Sequence, residues 1–107
     1  MSLDALEVSL DVIRALRAPL ATIRACDPKL YDQIRRAASS VSLNIAEGQG
    51  RHGRDRRHFW RIAAGSANEV RMALRVAMAW GDLTRESVEP TLTLLDRVAA
   101  MLWRMTR

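Results

Sequence analysis

The chain has 107 residues, 49% apolar and 27% charged, with a net charge of +5 and a single cysteine. That length suits one domain spanning residues 1–107 rather than two. Cys26 alone allows no internal disulfide, no apolar run approaches the ~20 residues of a membrane span, and three acids within residues 1–13 with no basic leader argue against a secretory signal.

The cytoplasm is therefore the expected compartment. Proline and glycine are few, while alanine, leucine and arginine abound, a helical composition because these residues lose little freedom in a helix. No alternating run of β-branched residues bounded by turn residues suggests a strand.

Four helices follow along the chain. The first is expected over about Leu3 to Arg24, with Leu3, Leu6, Leu10, Ile13, Leu16, Leu20 and Ile23 as its core stripe and Ser2 as its cap. Pro19 lies within that stripe and should kink the helix; the alternative ends the helix near Arg17. Asp27-Pro28 then supplies an N-cap and a favoured first helical residue. The second helix is expected from Pro28 to Glu47, facing the core with Leu30, Ile34, Ala37, Ala38, Val41 and Ile45, and ended by Gly48 as a left-handed cap.

After the glycine-rich stretch Gly48 to Arg54, a third helix is expected from near Asp55 to Trp80. Its expected stripe is Phe59, Ile62, Ala63, Ser66, Val70, Ala73, Leu74 and Ala77, and Gly81 ends it. The fourth spans about Arg85 to Met105 and carries two apolar seams. One is Val88, Leu92, Leu95, Ala99 and Leu102; the other is Leu94, Val98, Met101 and Met105. A monomer would leave one seam exposed, which points to an interface. Helices of ~20 residues on short loops give an all-α, antiparallel up-down-up-down four-helix bundle.

The charge is unevenly placed. Between Gly48 and Arg75 stand seven arginines against Asp55 and Glu69, a balance of +5, and the rest of the chain balances to zero. Arg51, Arg54, Arg56, Arg57 and Arg61 crowd the loop and the start of the third helix, with Arg71 and Arg75 as an extension. An arginine patch at a helix N-terminus is a natural phosphate contact, so nucleic acid or another polyanion is the expected ligand. Trp60, among these arginines, can stack on a base or pack in a core or interface, and packing is the preferred reading.

No catalytic constellation emerges, so no enzyme, cofactor or metal is expected. His52 and His58 have no carboxylate or cysteine at ligand spacing. Gly48-x-Gly50-x-x-Gly53 follows a helix rather than a strand and so lacks the context of a dinucleotide fingerprint. Gly65, within Ala63-Ala64-Gly65-Ser66-Ala67, costs about 1 kcal/mol against alanine, and close helix packing would compensate. Asn44, Glu47, Ser66 and Glu69 could join the second helix to the third.

The segment from Gln33 to Gly48, ending in Asn44-Ile45-Ala46-Glu47-Gly48, and that from Phe59 to Glu69, containing Gly65-Ser66-Ala67-Asn68-Glu69, resemble the four-helix bundle family also called the 23S rRNA intervening sequence protein family. The first helix departs from the family pattern: a tryptophan near its start and a longer connection before the second helix are common there, whereas here Pro19 and Pro28 stand instead. The resemblance implies a homo-oligomer, typically a pentamer around a central pore. It also implies kinship with the accessory variability determinant of diversity-generating retroelements, which binds nucleic acid and a reverse transcriptase. It casts Asn44, Glu47, Gly48, Gly65, Ser66 and Glu69 as structural. Two functions follow as expectations: non-sequence-specific binding of RNA or DNA through the arginine patch, or a scaffold docking an acidic protein partner such as a polymerase.

Overall fold

A computed structural model describes the backbone of residues 2–107 and the side chains from Asp4 onward. Four helices account for nearly all of it: α1 (Ser2–Cys26), α2 (Pro28–Gln49), α3 (Gly53–Trp80) and α4 (Arg85–Thr106), with no strand among the described residues. The longest extent of the molecule is 42 Å, the length of α3 at about 1.5 Å per residue. Close packing joins α1 to α2, α2 to α3, α3 to α4 and α4 back to α1. None of the helices is long and apolar enough to cross a membrane.

The corners obey local chemistry. Asp27 alone separates α1 from α2; its carboxylate accepts from the Leu30 amide at 3.1 Å, and Pro28 opens the next helix. Gly81 adopts φ 82°, and the Gly81 and Asp82 amides bond the carbonyls of Met78 and Ala77, closing α3 in the left-handed manner that glycine permits. The Thr84 hydroxyl accepts from the Ser87 amide at 3.2 Å to start α4. The expected Ser2 cap and the Leu3 side chain lie outside the described residues.

Several expectations shift in register. α1 runs unbroken through Pro19, so the alternative of an end near Arg17 falls. Its central line is Ala5, Val8, Ser9, Val12, Leu16 and Ile23, while Leu6, Leu10, Ile13 and Leu20 are only half-buried. Periodicity picked out the largest side chains, but the line facing both neighbouring helices uses small ones, including a buried Ser9–Ser42 hydroxyl bond of 2.8 Å. On α3, Ala63 faces inward as expected, while Trp60 and Ala67 take the inward places expected for Phe59, Ile62 and Ser66.

α4 draws its core from both expected seams: Val88, Leu95 and Leu102 from one, Val98 from the other, with Thr91 between. Leu94, Met101 and Met105 pack half-buried against that core, so neither seam is left bare. Exposed large apolar residues lie outside these seams, on the outer side of α3 at Ile62, Met72, Val76 and Trp80, on α2 at Leu43 and on α4 at Trp103. Cys26 is exposed.

Gly48 does not cap α2. It is buried inside the helix, which continues to Gln49 and ends at Gly50 with φ −84°. A Cβ at Gly48 would stand 2.4 Å from the Trp60 indole nitrogen, whereas one at Gly65 would meet nothing within 4 Å. The two helical glycines therefore differ in kind: Gly48 admits a neighbour, and Gly65 has none in the single chain. Gly48→Ala is expected to destabilise by about 1–3 kcal/mol through overpacking, while Gly65→Ala raises monomer stability by about 0.5–1 kcal/mol. Urea denaturation of both variants checks this; a neutral Gly48→Ala would contradict the Trp60 packing. The buried Thr91 hydroxyl has no hydrogen-bond partner, so Thr91→Val is expected to raise stability by about 1 kcal/mol in the same assay.

Candidate nucleic-acid interface

Three residues, Gly50 to His52, turn the chain from α2 into α3. Gly53 opens α3 at φ 56°, in the left-handed region that glycine tolerates. The His52 side chain makes no capping bond, which leaves first-turn amides of α3 without a side-chain partner. Around this corner the structure separates the arginines into two groups.

Arg51 and Arg56 hold the corner together. The Arg51 guanidinium donates to Glu47 at 2.9 and 3.2 Å and to Asp55 at 2.9 Å, and it lies 4.9 Å from the centre of the Phe59 ring. The Glu47 bond first, then the Asp55 bond, holds Arg51 above the ordinary arginine pKa. Arg56 donates to the carbonyls of Gly48 and Gln49 at 3.2 and 3.3 Å, satisfying acceptors that the end of α2 leaves open. It also lies over Trp60 at 5.3 Å. Trp60 is buried, and its indole N–H donates to the Ile45 carbonyl at 3.2 Å. It packs as preferred and offers no face to a base.

Arg54, Arg57, Arg61 and Arg75 recur at steps of three, four and fourteen residues, so they share one face of α3, with Asn68 between. Arg54 and Arg57 make no ion pair or hydrogen bond among the described residues. Arg61 donates to the Thr106 carbonyl at 3.1 Å, and Arg75 has only the Met72 sulfur, at 3.9 Å. Arg71 is ion-paired with Asp96, which places it in the α3–α4 contact. His52 and His58 are exposed, and no group of three potential metal ligands occurs among the described residues.

The expected α2–α3 links are partly of another form. Ser66 bonds Ser40 at 2.8 Å, and Gln33 reaches Glu69 at 3.5 Å. Asn44 donates within α2, to the Ser40 carbonyl and hydroxyl, and so braces the Ser40–Ser66 pair rather than crossing itself. Glu47 reaches α3 only through Arg51.

Sequence reasoning passed over Trp103. It is 60% exposed, with the Arg107 guanidinium 4.2 Å from its ring centre. The Arg61–Thr106 bond brings that last turn of α4 beside the arginine face of α3. The available signal was the four-residue spacing from Trp103 to Arg107, which stacks the two side chains on one helix face.

The fold and this surface define a small four-helix protein with an arginine-lined face and no cluster of metal ligands among its described residues. The chain belongs to the 23S rRNA-intervening sequence protein family, whose model matches residues 4–104. It is similar in structure to a protein of unknown function from the S23 ribosomal protein family of Bacteroides thetaiotaomicron. The TM-score is 0.82 at 21% identity, covering 96% of this chain and 98% of that one. No curated protein matches the sequence.

The two groups of arginines should separate in a stability assay. Arg56→Ala is expected to cost about 1–2 kcal/mol, because it strips two helix-end carbonyls of a charged donor. Arg54→Ala and Arg57→Ala should stay within about 0.5 kcal/mol of the parent. Thermal or urea unfolding distinguishes them, and equal losses at all three positions would refute the division.

Proposed function

We propose that the protein is a non-enzymatic, homo-oligomeric nucleic-acid-binding bundle that contacts RNA or DNA phosphates without reading sequence. Arg54, Arg57, Arg61 and Arg75 form the contact face, with Trp103 at its edge as a surface on which a base can stack. The observation that carries the reading is the release of Arg54 and Arg57 from internal work. Arg54 and Arg57 have no acidic partner, while Arg51 and Arg71 of the same charged segment do. The family's description, which names a 23S rRNA intervening sequence, supports an RNA setting. The cytoplasm is the matching compartment.

The helices are proposed to run antiparallel, up-down-up-down, and the chain to assemble as a pentamer. Antiparallel order is supported by the contact pairs: Ser9 with Ser42 and Arg24 with Tyr31, Ile45 with Trp60 and Gln33 with Glu69, Arg61 with Thr106 and Arg71 with Asp96. In each helix pair the numbers fall on one side as they rise on the other. Assembly is supported by the outer face of α3, where Ile62, Met72, Val76 and Trp80 share a stripe with the unpacked Gly65. Repetition of the arginine face around a ring would turn weak contacts into avidity.

Binding to single- and double-stranded RNA and DNA across a salt series tests the function. Affinity is expected to fall linearly on a log–log plot. Arg54→Ala, Arg57→Ala and Arg61→Ala together should weaken it at least about tenfold and flatten the slope by roughly two to three. An unchanged affinity would end the proposal. Polyglutamate binding that matches RNA at equal charge would favour the scaffold reading, in which the arginines dock an acidic partner such as a polymerase. Light scattering after chromatography tests assembly: Val76→Glu should yield a folded monomer from a pentameric parent.

A further inference from the structure

A second positively charged surface lies away from α3, between α1 and the first half of α2. The large apolar residues of α1 that do not enter the central core, Ile13 and Leu20, form one side of a groove of about 350 Å³, with the fully buried Leu16 and Ala38 as its floor. The groove exists because short side chains, Ala21 on α1 and Ser39 on α2, stand where longer ones would fill it. Its volume is within the range of small-molecule sites.

The walls carry Arg17 and Arg24 from α1 and Arg35 from α2, and no carboxylate. The acids nearest along the two helices are committed elsewhere: Asp11 to Arg14, Asp32 to Arg36 and Asp27 to the Leu30 amide. Arg24 lies 5.6 Å above the Tyr31 ring, and Arg17 and Arg35 make no ion pair or hydrogen bond among the described residues. Two guanidinium groups from opposite walls thus flank an apolar floor with no counter-charge among the lining residues. An anion seated between them would supply that counter-charge, and an apolar chain attached to it would cover the half-buried Ile13 and Leu20.

We propose that this groove binds a single-chain amphipathic anion, a fatty carboxylate, with its head group between Arg17 and Arg35 and its chain along the α1 side. The geometry demands both halves of such a ligand. A simple anion leaves the exposed parts of Ile13 and Leu20 wet, and a neutral chain leaves the arginines unpaired. The site is separate from the arginine face of α3, so its fate and that of nucleic-acid binding are independent.

Isothermal titration calorimetry of the full chain with decanoate tests the site, with decanol, acetate and inorganic phosphate as comparison ligands. Decanoate is expected to bind at least about tenfold more tightly than any of the three. Arg17→Gln with Arg35→Gln should cost at least about tenfold in decanoate affinity. Ala21→Trp, at an exposed position, should abolish binding by filling the groove while leaving the circular dichroism spectrum unchanged. Arg85→Gln, on α4, should have no effect. Equal binding of decanol or phosphate, or decanoate affinity indifferent to the Arg17 and Arg35 changes, would overturn the proposal. So would loss of the oligomer on Ala21→Trp, because a second copy would then be the occupant of the groove.

Discussion

The arrangement of this chain depends on one close approach, in which the indole of Trp60 enters α2 at the single buried position there without a side chain. An indole has the bulk to hold two helices apart unless one of them yields space, and Gly48 yields it. The N–H then donates to the Ile45 carbonyl, so burial of a large ring leaves no polar atom unpaired. With α2 and α3 fixed at this point, Arg56 lies over the same ring and reaches the last carbonyls of α2. Arg51 spans from Glu47 to Asp55 across the turn. Three residues suffice for the loop because these contacts hold both of its ends.

That close approach decides which arginines are available. A net excess of positive charge on a short segment has two uses, internal capping and external contact, and composition alone cannot apportion it. Here the corner consumes Arg51 and Arg56, and the α3–α4 contact takes Arg71. What remains is a row on α3, alongside the end of α4, where Trp103 and Arg107 add an aromatic surface. The face proposed for nucleic acid is thus smaller than the charge count suggested; Arg54 and Arg57 lose no internal bond when they turn to phosphate, and Arg61 gives up only its bond to the Thr106 carbonyl.

Much of the fold was legible because helix ends carry local chemistry. Asp27-Pro28 and Gly81 mark two boundaries, and every helix lies within two residues of its expected limits. What could not be read was the angle at which each helix meets its neighbours. In α1 the leucines are prominent and evenly spaced, yet Ala5, Ser9 and Val12 face the centre, since small side chains let two helices approach at once. The glycine signals were ambiguous for a similar reason. A glycine near a helix end suits a cap, but only the position of Trp60, twelve residues later, shows that Gly48 is a packing notch. Neither the Glu47–Arg51–Asp55 ladder nor the reach of Arg56 to Gly48 and Gln49 was readable, because both cross the turn between two helices and follow from tertiary geometry.

The same division between centre and flank explains why this small protein keeps two distinct surfaces for its excess cations. The inner face of α3 is built largely of alanine, at positions 63, 67, 73 and 77, which brings α3 near its partners and sends its larger residues outward. On α1 the small central line likewise leaves Ile13 and Leu20 at the edge rather than in the core. Apolar surface is therefore displaced to the periphery on both sides, in one place as the stripe of Ile62, Met72, Val76 and Trp80, in the other as the groove toward α2. Beside the stripe run arginines suited to a polyanion; around the groove stand arginines set over an apolar floor. A chain of this length can bury only a limited fraction of its surface within itself, so partners covering those two faces would supply what the core of the single chain leaves uncovered.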